Sequence, residues 1–259
     1  MANDQQDSPA WPPARAAWSI VGAITLLALV LRVLAAQGGL WLDEAWSASF
    51  ARQSATPLGL ILNVHHDNNH LLNTLWLQLV GFGAPPMVQR GLAIVTGTLM
   101  VPVAAWIARR WGAGAMAVTA LLFAVSPIMV TYGSEARGYA PMMLALLVAT
   151  GLVLDWLDAP EGTQAPRRAL AWAMLFGGLA QLTMVFGLAA LIGTAWWTLC
   201  QRQGWRAASM ATVRVFWPAG LALAAALAVI LVPAWVAPQG LEIGSYTPLS
   251  WRDTVRQVR

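Results

Sequence analysis

Asp43 and Glu44 form the only adjacent acidic pair in a chain with 11 acidic residues. As a solvated loop start the pair would mean nothing. Trp41, Leu42, Ala45 and Trp46 surround it with apolar groups, however, and set it at an interface where a carboxylate can do acid–base work. A second group follows in the run His65, His66, Asp67, Asn68, Asn69, His70. His66 and His70 have the i, i+4 spacing of a helical metal pair, but Asp67, Asn68 and Asn69 read better as the start of a helix. A divalent metal is therefore compatible with the run but not favoured. The third group is Tyr132, Glu135, Arg137 and Tyr139, in which an arginine could bind an anion or simply pair with Glu135 or a lipid headgroup.

The elements that must position these groups are those of a membrane protein. Of the residues, 58% are apolar and only 10% charged, and mean hydropathy is +0.60. A soluble domain carries about 25% charged residues. All 15 basic residues are arginine, scattered between apolar runs rather than gathered into a nucleic-acid patch. One cysteine, Cys200, excludes a disulfide framework. Tryptophans near segment ends (Trp18, Trp111, Trp156, Trp172, Trp205) suit an interfacial belt.

Apolar runs long enough to cross a bilayer, roughly 20 residues, stand at 18–36, 87–108, 114–130, 139–157 and 215–236. The stretch 169–199 is too long for one crossing. Gly177, Gly178, Gln181 and Thr183 divide it into two short helices. Segment 70–82 would be only about 20 Å long as a helix. It sets His70, Asn73, Thr74 and Gln78 against Leu71, Leu72, Leu75, Trp76 and Leu79, the pattern of a helix lying flat at the interface. Asn68 or Asn69 is its expected N-cap, and 81–86 ends it. Arg32 is expected to snorkel to the outer interface.

Arginine placement decides the topology. With 70–82 flat, Arg109, Arg110, Arg167, Arg168, Arg202, Arg206 and Arg214 all fall in short loops on the side of Arg15, as the inner-face excess of positive charge requires. The fold expected is all-α and polytopic, with about seven crossings and one flat amphipathic helix. Residues 1–17 are a disordered cytoplasmic tail, 18–236 the membrane domain with an outer loop at 37–86, and 237–259 an outer tail. Every histidine and tyrosine then lies outside, with Glu242, Tyr246 and Asp253 in the tail. The inner loops hold arginine with Asp155, Asp158 and Glu161, and no glycine-rich nucleotide loop.

In this order and spacing, WLDEAWSASFA, DNNHLLNTLWLQLVG with QRGLAIVTGTLMVPVAAWIARRWG, and SPIMVTYGSEARGYAPMMLALL resemble the GT-C integral-membrane glycosyltransferases. The likeness is to the protein O-mannosyltransferase and aminoarabinose transferase group and covers about 18–199. Leu71-Leu72 replaces the His-Pro-Pro continuation of many members, and Met184 stands where a histidine is common. Members are usually longer, so the chain is expected to be the N-terminal part of a longer protein.

The resemblance implies a donor sugar on a polyprenyl phosphate, membrane lipid as surroundings, and an acceptor hydroxyl on a lipid, glycan or protein. It implies no required cofactor and no nucleic acid. Asp43 would be the general base with Glu44 positioning it. Arg137, with His70, would hold the donor phosphate. Asp67, Glu135, Tyr132 and Tyr139 are further substrate contacts. A polytopic transporter or flippase is the competing class, and an inactive GT-C-like fragment a third.

The topology is testable by single cysteines in a Cys200→Ser background. His66→Cys and Glu135→Cys should react with an impermeant thiol reagent from outside, and Thr163→Cys should be protected. The reverse pattern overturns the arrangement.

Overall fold

The computed structural model describes residues 14–54, 56–66, 70–81, 83–160, 162–238 and 240–241. Asp67, Asn68, Asn69, Glu161, Glu242, Tyr246 and Asp253 lie outside them, as does nearly all of the two expected tails. The described chain is helical and contains no strand. In order the helices are α1 (Ala14–Ala35), α2 (Leu42–Gln53), α3 (Pro57–Asn63), α4 (Leu71–Val80), α5 (Pro86–Gln89) and α6 (Gly91–Ala108). After a 3-10 turn (Arg109–Trp111) come α7 (Ala113–Val125), α8 (Pro127–Tyr132), α9 (Tyr139–Asp158), α10 (Arg167–Ala180), α11 (Met184–Gln203) and α12 (Trp205–Val236).

Among the described residues, five stretches are long and apolar enough to cross a membrane: Arg15–Ala35, Gly91–Trp111, Tyr139–Asp158, Met184–Gln203 and Trp205–Val236. Side chains such as Phe186, Trp217 and Leu221 stand exposed along them. Such outward apolar cover suits lipid and would be a liability in water. Three expectations change in detail. The helix α1 begins at Ala14, inside the expected tail. The expected crossing at 114–130 is broken into α7 and α8, because Ser126 is extended (φ −57°, ψ 125°) ahead of Pro127. The last helix starts ten residues earlier than the apolar run suggests, since the amphipathic segment from Trp205 continues it, and its 32 residues span about 48 Å.

Packing joins two groups of helices. In the first, α1 lies against α6 and α7 through Ala28, Val101, Ala105, Ala120 and Ala124. In the second, α9, α10, α11 and α12 share a core around Leu170, Met174, Met184 and Phe216. The seam between them is α6 on α9, where Gly151 admits the Trp106 ring; a Cβ there would stand 1.9 Å from it. Small residues let these backbones approach closely, the usual basis of helix association in lipid.

Arg32 does not snorkel. It is 0% exposed, and its guanidinium donates to the carbonyls of Ala28 (3.1 Å), Phe123 (3.1 Å), Ala124 (3.5 Å) and Met129 (3.3 Å). The cause is Pro127. It has no N–H, so the Phe123 carbonyl one turn earlier loses its helical donor. Arg32 replaces that donor and caps the break, in a slot bounded by Gly97 and Gly133.

Arg32→Met should therefore lower stability in detergent by about 1–3 kcal/mol, the cost of leaving a buried carbonyl unpaired. Adding Pro127→Ala restores an N–H for Phe123 and should recover part of that loss in a thermal unfolding assay. Purely additive destabilisation would show that Arg32 does not serve the break.

Candidate functional site

Short helices α2, α3 and α4 gather at the end of the bundle where α1 and α10 finish and α6 and α9 begin. In that gathering α4 packs on α2, α3 and α10. Within the segment 37–86, Asp43 and Glu44 stand in the first turn of α2. Two carboxylates at a helix start are favoured by the macrodipole. Glu44 also closes the N-terminus by accepting from the Trp41 N–H at 3.0 Å.

Glu44 and Arg90 hold the site together. Arg90 donates to Glu44 Oε1 (2.8 Å) and Oε2 (2.6 Å). Its remaining N–H groups go to the carbonyls of Ala36 (2.7 Å), Gly38 (3.2 Å) and Gly39 (2.8 Å). All five guanidinium donors are thereby engaged. Glu44 accepts in addition from the Ala136 N–H at 2.7 Å, so its roughly four acceptor sites are filled. Glu44 is 0% and Arg90 5% exposed. The Glu44 hydrogen bond raises the Arg90 pKa above its ordinary value, outweighing the opposing effect of burial. A carboxylate so saturated cannot also receive a proton from a substrate. What Glu44 holds is the start of α2, Arg90 and the Ala136 turn.

Arg90 escaped the sequence reading. Its signal is there, because it is a lone arginine directly before the apolar span Gly91–Trp111, at the opposite end from Arg109 and Arg110. A cation so placed calls for an internal partner.

The turn 133–138 is clamped at its centre. Ala136 gives its N–H to Glu44, while its carbonyl accepts from Asn73 Nδ2 at 2.5 Å. Gly138 abuts the end of α10, where a Cβ would meet the Ala180 carbonyl oxygen at 1.8 Å. Either side of that fixed peptide, Glu135 and Arg137 take different surroundings. Arg137 pairs with Asp43 rather than with Glu135, Nη1 to Oδ2 at 3.1 Å, and both side chains keep some exposure, 14% and 32%. The guanidinium lies over the rings of Tyr139 (4.7 Å) and Trp41 (5.4 Å). Further donations reach Tyr139 Oη at 3.3 Å and His70 Nε2 at 3.4 Å. Tyr132 stacks on Tyr139 with ring centres 4.6 Å apart.

Glu135 has one buried carboxylate oxygen with no hydrogen-bond partner among the described residues. Burial raises its pKa, and the nearby charges of Glu44 and Asp43 push the same way against Arg137 and Arg90. Its side chain is therefore readier to hold a proton than a solvated carboxylate is.

The polar stripe of the expected flat helix faces inward. Asn73 and Thr74 are buried, whereas Leu79 is 78% exposed. Gln78 donates to Ser54 at 2.5 Å and to Ala51 at 3.3 Å, tying α4 to the end of α2. His70, not Asn68 or Asn69, occupies the N-cap position of α4, and it contributes no side-chain cap. The ring of His70 lies beside Tyr139 at 5.5 Å, and that of His66 stacks against Trp46 at 5.7 Å. The two histidines of the i, i+4 pair thus sit in different surroundings. Asp67, the other expected substrate contact, lies outside the described residues.

Asp43, Arg137, His70, Tyr139 and Tyr132 accordingly form one cluster, with Glu44 and Arg90 beneath it. It joins a partly open carboxylate, a cation suited to phosphate and aromatic faces suited to a sugar or a lipid. No protein-family model, curated protein or solved structure matches this chain.

Removing either half of the buried pair should cost more than removing both. Arg90→Met leaves the Glu44 charge buried and should destabilise the protein by about 3–5 kcal/mol. Arg90→Met with Glu44→Leu should unfold at a higher temperature than Arg90→Met alone. If the double variant is the less stable, the pair is not the coupled unit described.

Proposed function

We propose that this chain is a membrane glycosyltransferase that moves a sugar from a polyprenyl-phosphate donor to an acceptor hydroxyl at the outer face of the cell membrane. The observation that carries the reading is the partly exposed contact between Asp43 and Arg137, 3.1 Å apart, among His70, Tyr132 and Tyr139. The resemblance of three ordered stretches to GT-C enzymes supports it. So does the segregation of Asp155 and Asp158 with arginines to the far end of α9. In the matching arrangement α7–α8 and α10 cross as well, for seven crossings, and α4 lies flat with Leu72, Leu75 and Leu79 toward lipid.

The ion pair suggests how the chemistry is primed. A donor phosphate binding to Arg137 takes the place of Asp43, since guanidinium binds phosphate oxygens at least as well as a carboxylate. Asp43 is then released beside the reacting sugar. An acceptor hydroxyl attacks the anomeric carbon and passes its proton to Asp43. The bond from that carbon to the phosphate oxygen breaks, and polyprenyl phosphate departs with the electron pair. Phosphate is a stable anion, so the leaving group needs a cation rather than an acid, and Arg137 is that cation. His70 and Tyr139 orient Arg137. No metal, nucleotide or other cofactor is required by these steps.

A transporter or flippase is the second reading, favoured by Arg32 inside α1 and by the break between α7 and α8. Ionisable groups on broken helices mark many transport sites. Here, however, the Arg32 donors go to the backbone carbonyls of the break. The transferase reading leaves less unexplained.

Asp43→Asn, nearly isosteric, should lower turnover of a radiolabelled polyprenyl-phosphate sugar about 100-fold or more while donor binding persists. Arg137→Ala should instead weaken donor binding by about 10–100-fold, the loss of a charge-assisted hydrogen bond. Arg137→Lys should fall between. Normal turnover by Asp43→Asn in well-folded protein rules out this base, and full donor affinity in Arg137→Ala rules out the phosphate assignment.

A further inference from the structure

At the end of the bundle away from Asp43, two sets of arginines stand apart, with Arg206 lying over the Trp205 ring and Arg168 outside both sets. Arg109 and Arg110 are matched by acids. Asp155 accepts from Arg109 at 2.8 Å and from Arg110 at 2.6 Å, and Asp158 accepts from Arg110 at 3.2 Å. Arg167, Arg202 and Arg214 have no ion pair among the described residues, yet they line a single cavity of about 780 Å³. It lies between the end of α9, the start of α10, the end of α11 and the early turns of α12. No carboxylate is among its described lining residues. Only Arg202 is anchored, donating to the Leu157 carbonyl at the rim.

Arg202 and Arg214 are exposed and Arg167 is half-buried, so water screens their mutual repulsion, and a bound anion would draw on all three charges at once. The size falls within the range of about 300–1,000 Å³ typical of ligand clefts. Trp156, Leu157, Leu199 and Val215 form apolar walls between the cations, and Thr163 and Gln164 add polar side chains. A soluble phosphate ion has no use for those walls, whereas an acyl-bearing headgroup does. Trp205, at the adjoining start of α12, is well exposed, as suits a ring at headgroup depth.

We propose that this cavity binds the phosphate headgroup of an anionic phospholipid in the leaflet opposite the candidate active site. The guanidinium groups of Arg167, Arg202 and Arg214 grip the phosphate oxygens, and the apolar walls take the first part of the acyl chains. Basic pockets between transmembrane helices are suited to such headgroups. The site is independent of the proposed transferase chemistry. An occupant would tie the loop between α9 and α10 to α11 and α12.

The test is a titration of the full delipidated chain in neutral detergent with phosphatidylglycerol and phosphatidylcholine of matched acyl chains. Binding of phosphatidylglycerol should be the tighter by about a hundredfold. Arg167→Gln, Arg202→Gln and Arg214→Gln combined should abolish that preference, at about fivefold for each charge removed. Arg214→Gln alone, at an exposed position, should lose about fivefold with an unchanged melting temperature. Arg109→Gln with Arg110→Gln should leave the preference intact. Equal binding of the two lipids, a preference that survives the triple variant, or an equal loss in the Arg109 and Arg110 variant would overturn the proposal. So would displacement of the lipid by glycerol phosphate or inorganic phosphate at equal concentration, which would make the site one for soluble phosphate.

Discussion

The buried pair of Arg90 and Glu44 is the constraint on which the candidate site depends. Two charges withdrawn from solvent must be compensated within the protein. Here compensation is complete, because every donor of Arg90 and essentially every acceptor position of Glu44 is used. The partners are distributed over four separate pieces of chain: the exit of α1, the start of α2, the start of α6 and the turn before α9. A pair that gathers four segments is a joint rather than a simple contact. It sets the distance between Asp43, one residue before Glu44, and Arg137, one residue after Ala136.

A second buried cation solves a different problem. Arg32 has backbone carbonyls for partners instead of a carboxylate, because Pro127 leaves the chain short of donors at the break between α7 and α8. The break turns the chain at Ser126, and α8 then leads into the clamped turn. Gly133 links the two devices. It forms one wall of the Arg32 slot and opens the segment whose Ala136 is held by Glu44 and Asn73. Arg32 and Arg90 thus brace the same turn from two directions, while Arg137, with Asp43 as its partner, keeps some exposure to a ligand.

Much of the candidate cluster was legible in the residues. Asp43, Glu44, His70, Tyr132, Glu135, Arg137 and Tyr139 stood out because ionisable and phenolic groups are costly beside lipid and few in this chain. The structure brings all seven to one end of the bundle. Arg90 was not singled out, because a lone arginine before an apolar run looks like an interfacial anchor until its partner is known. The α4 segment shows the same limit. Its two-sided pattern was plain, but periodicity cannot say which side meets protein. The polar side does, because its amides complete backbone hydrogen bonds in the Ala136 turn and at the end of α2. Leu71 and Leu77 are buried along with it, and Leu79 stands on the side left exposed.

Composition and the length of the apolar runs determined by themselves that this is a helical membrane protein, because burying backbone in lipid leaves few other solutions. The scarcity of polar side chains marked the residues that the structure gathers at one end of the bundle. Only the tertiary structure decided that Glu44 is sealed by Arg90 while Asp43 remains partly open. The two carboxylates are adjacent in sequence and alike in type, so no local property distinguishes them. Successive positions in the first turn of a helix point about 100° apart, and that rotation sends one side chain into the joint and the other toward Arg137.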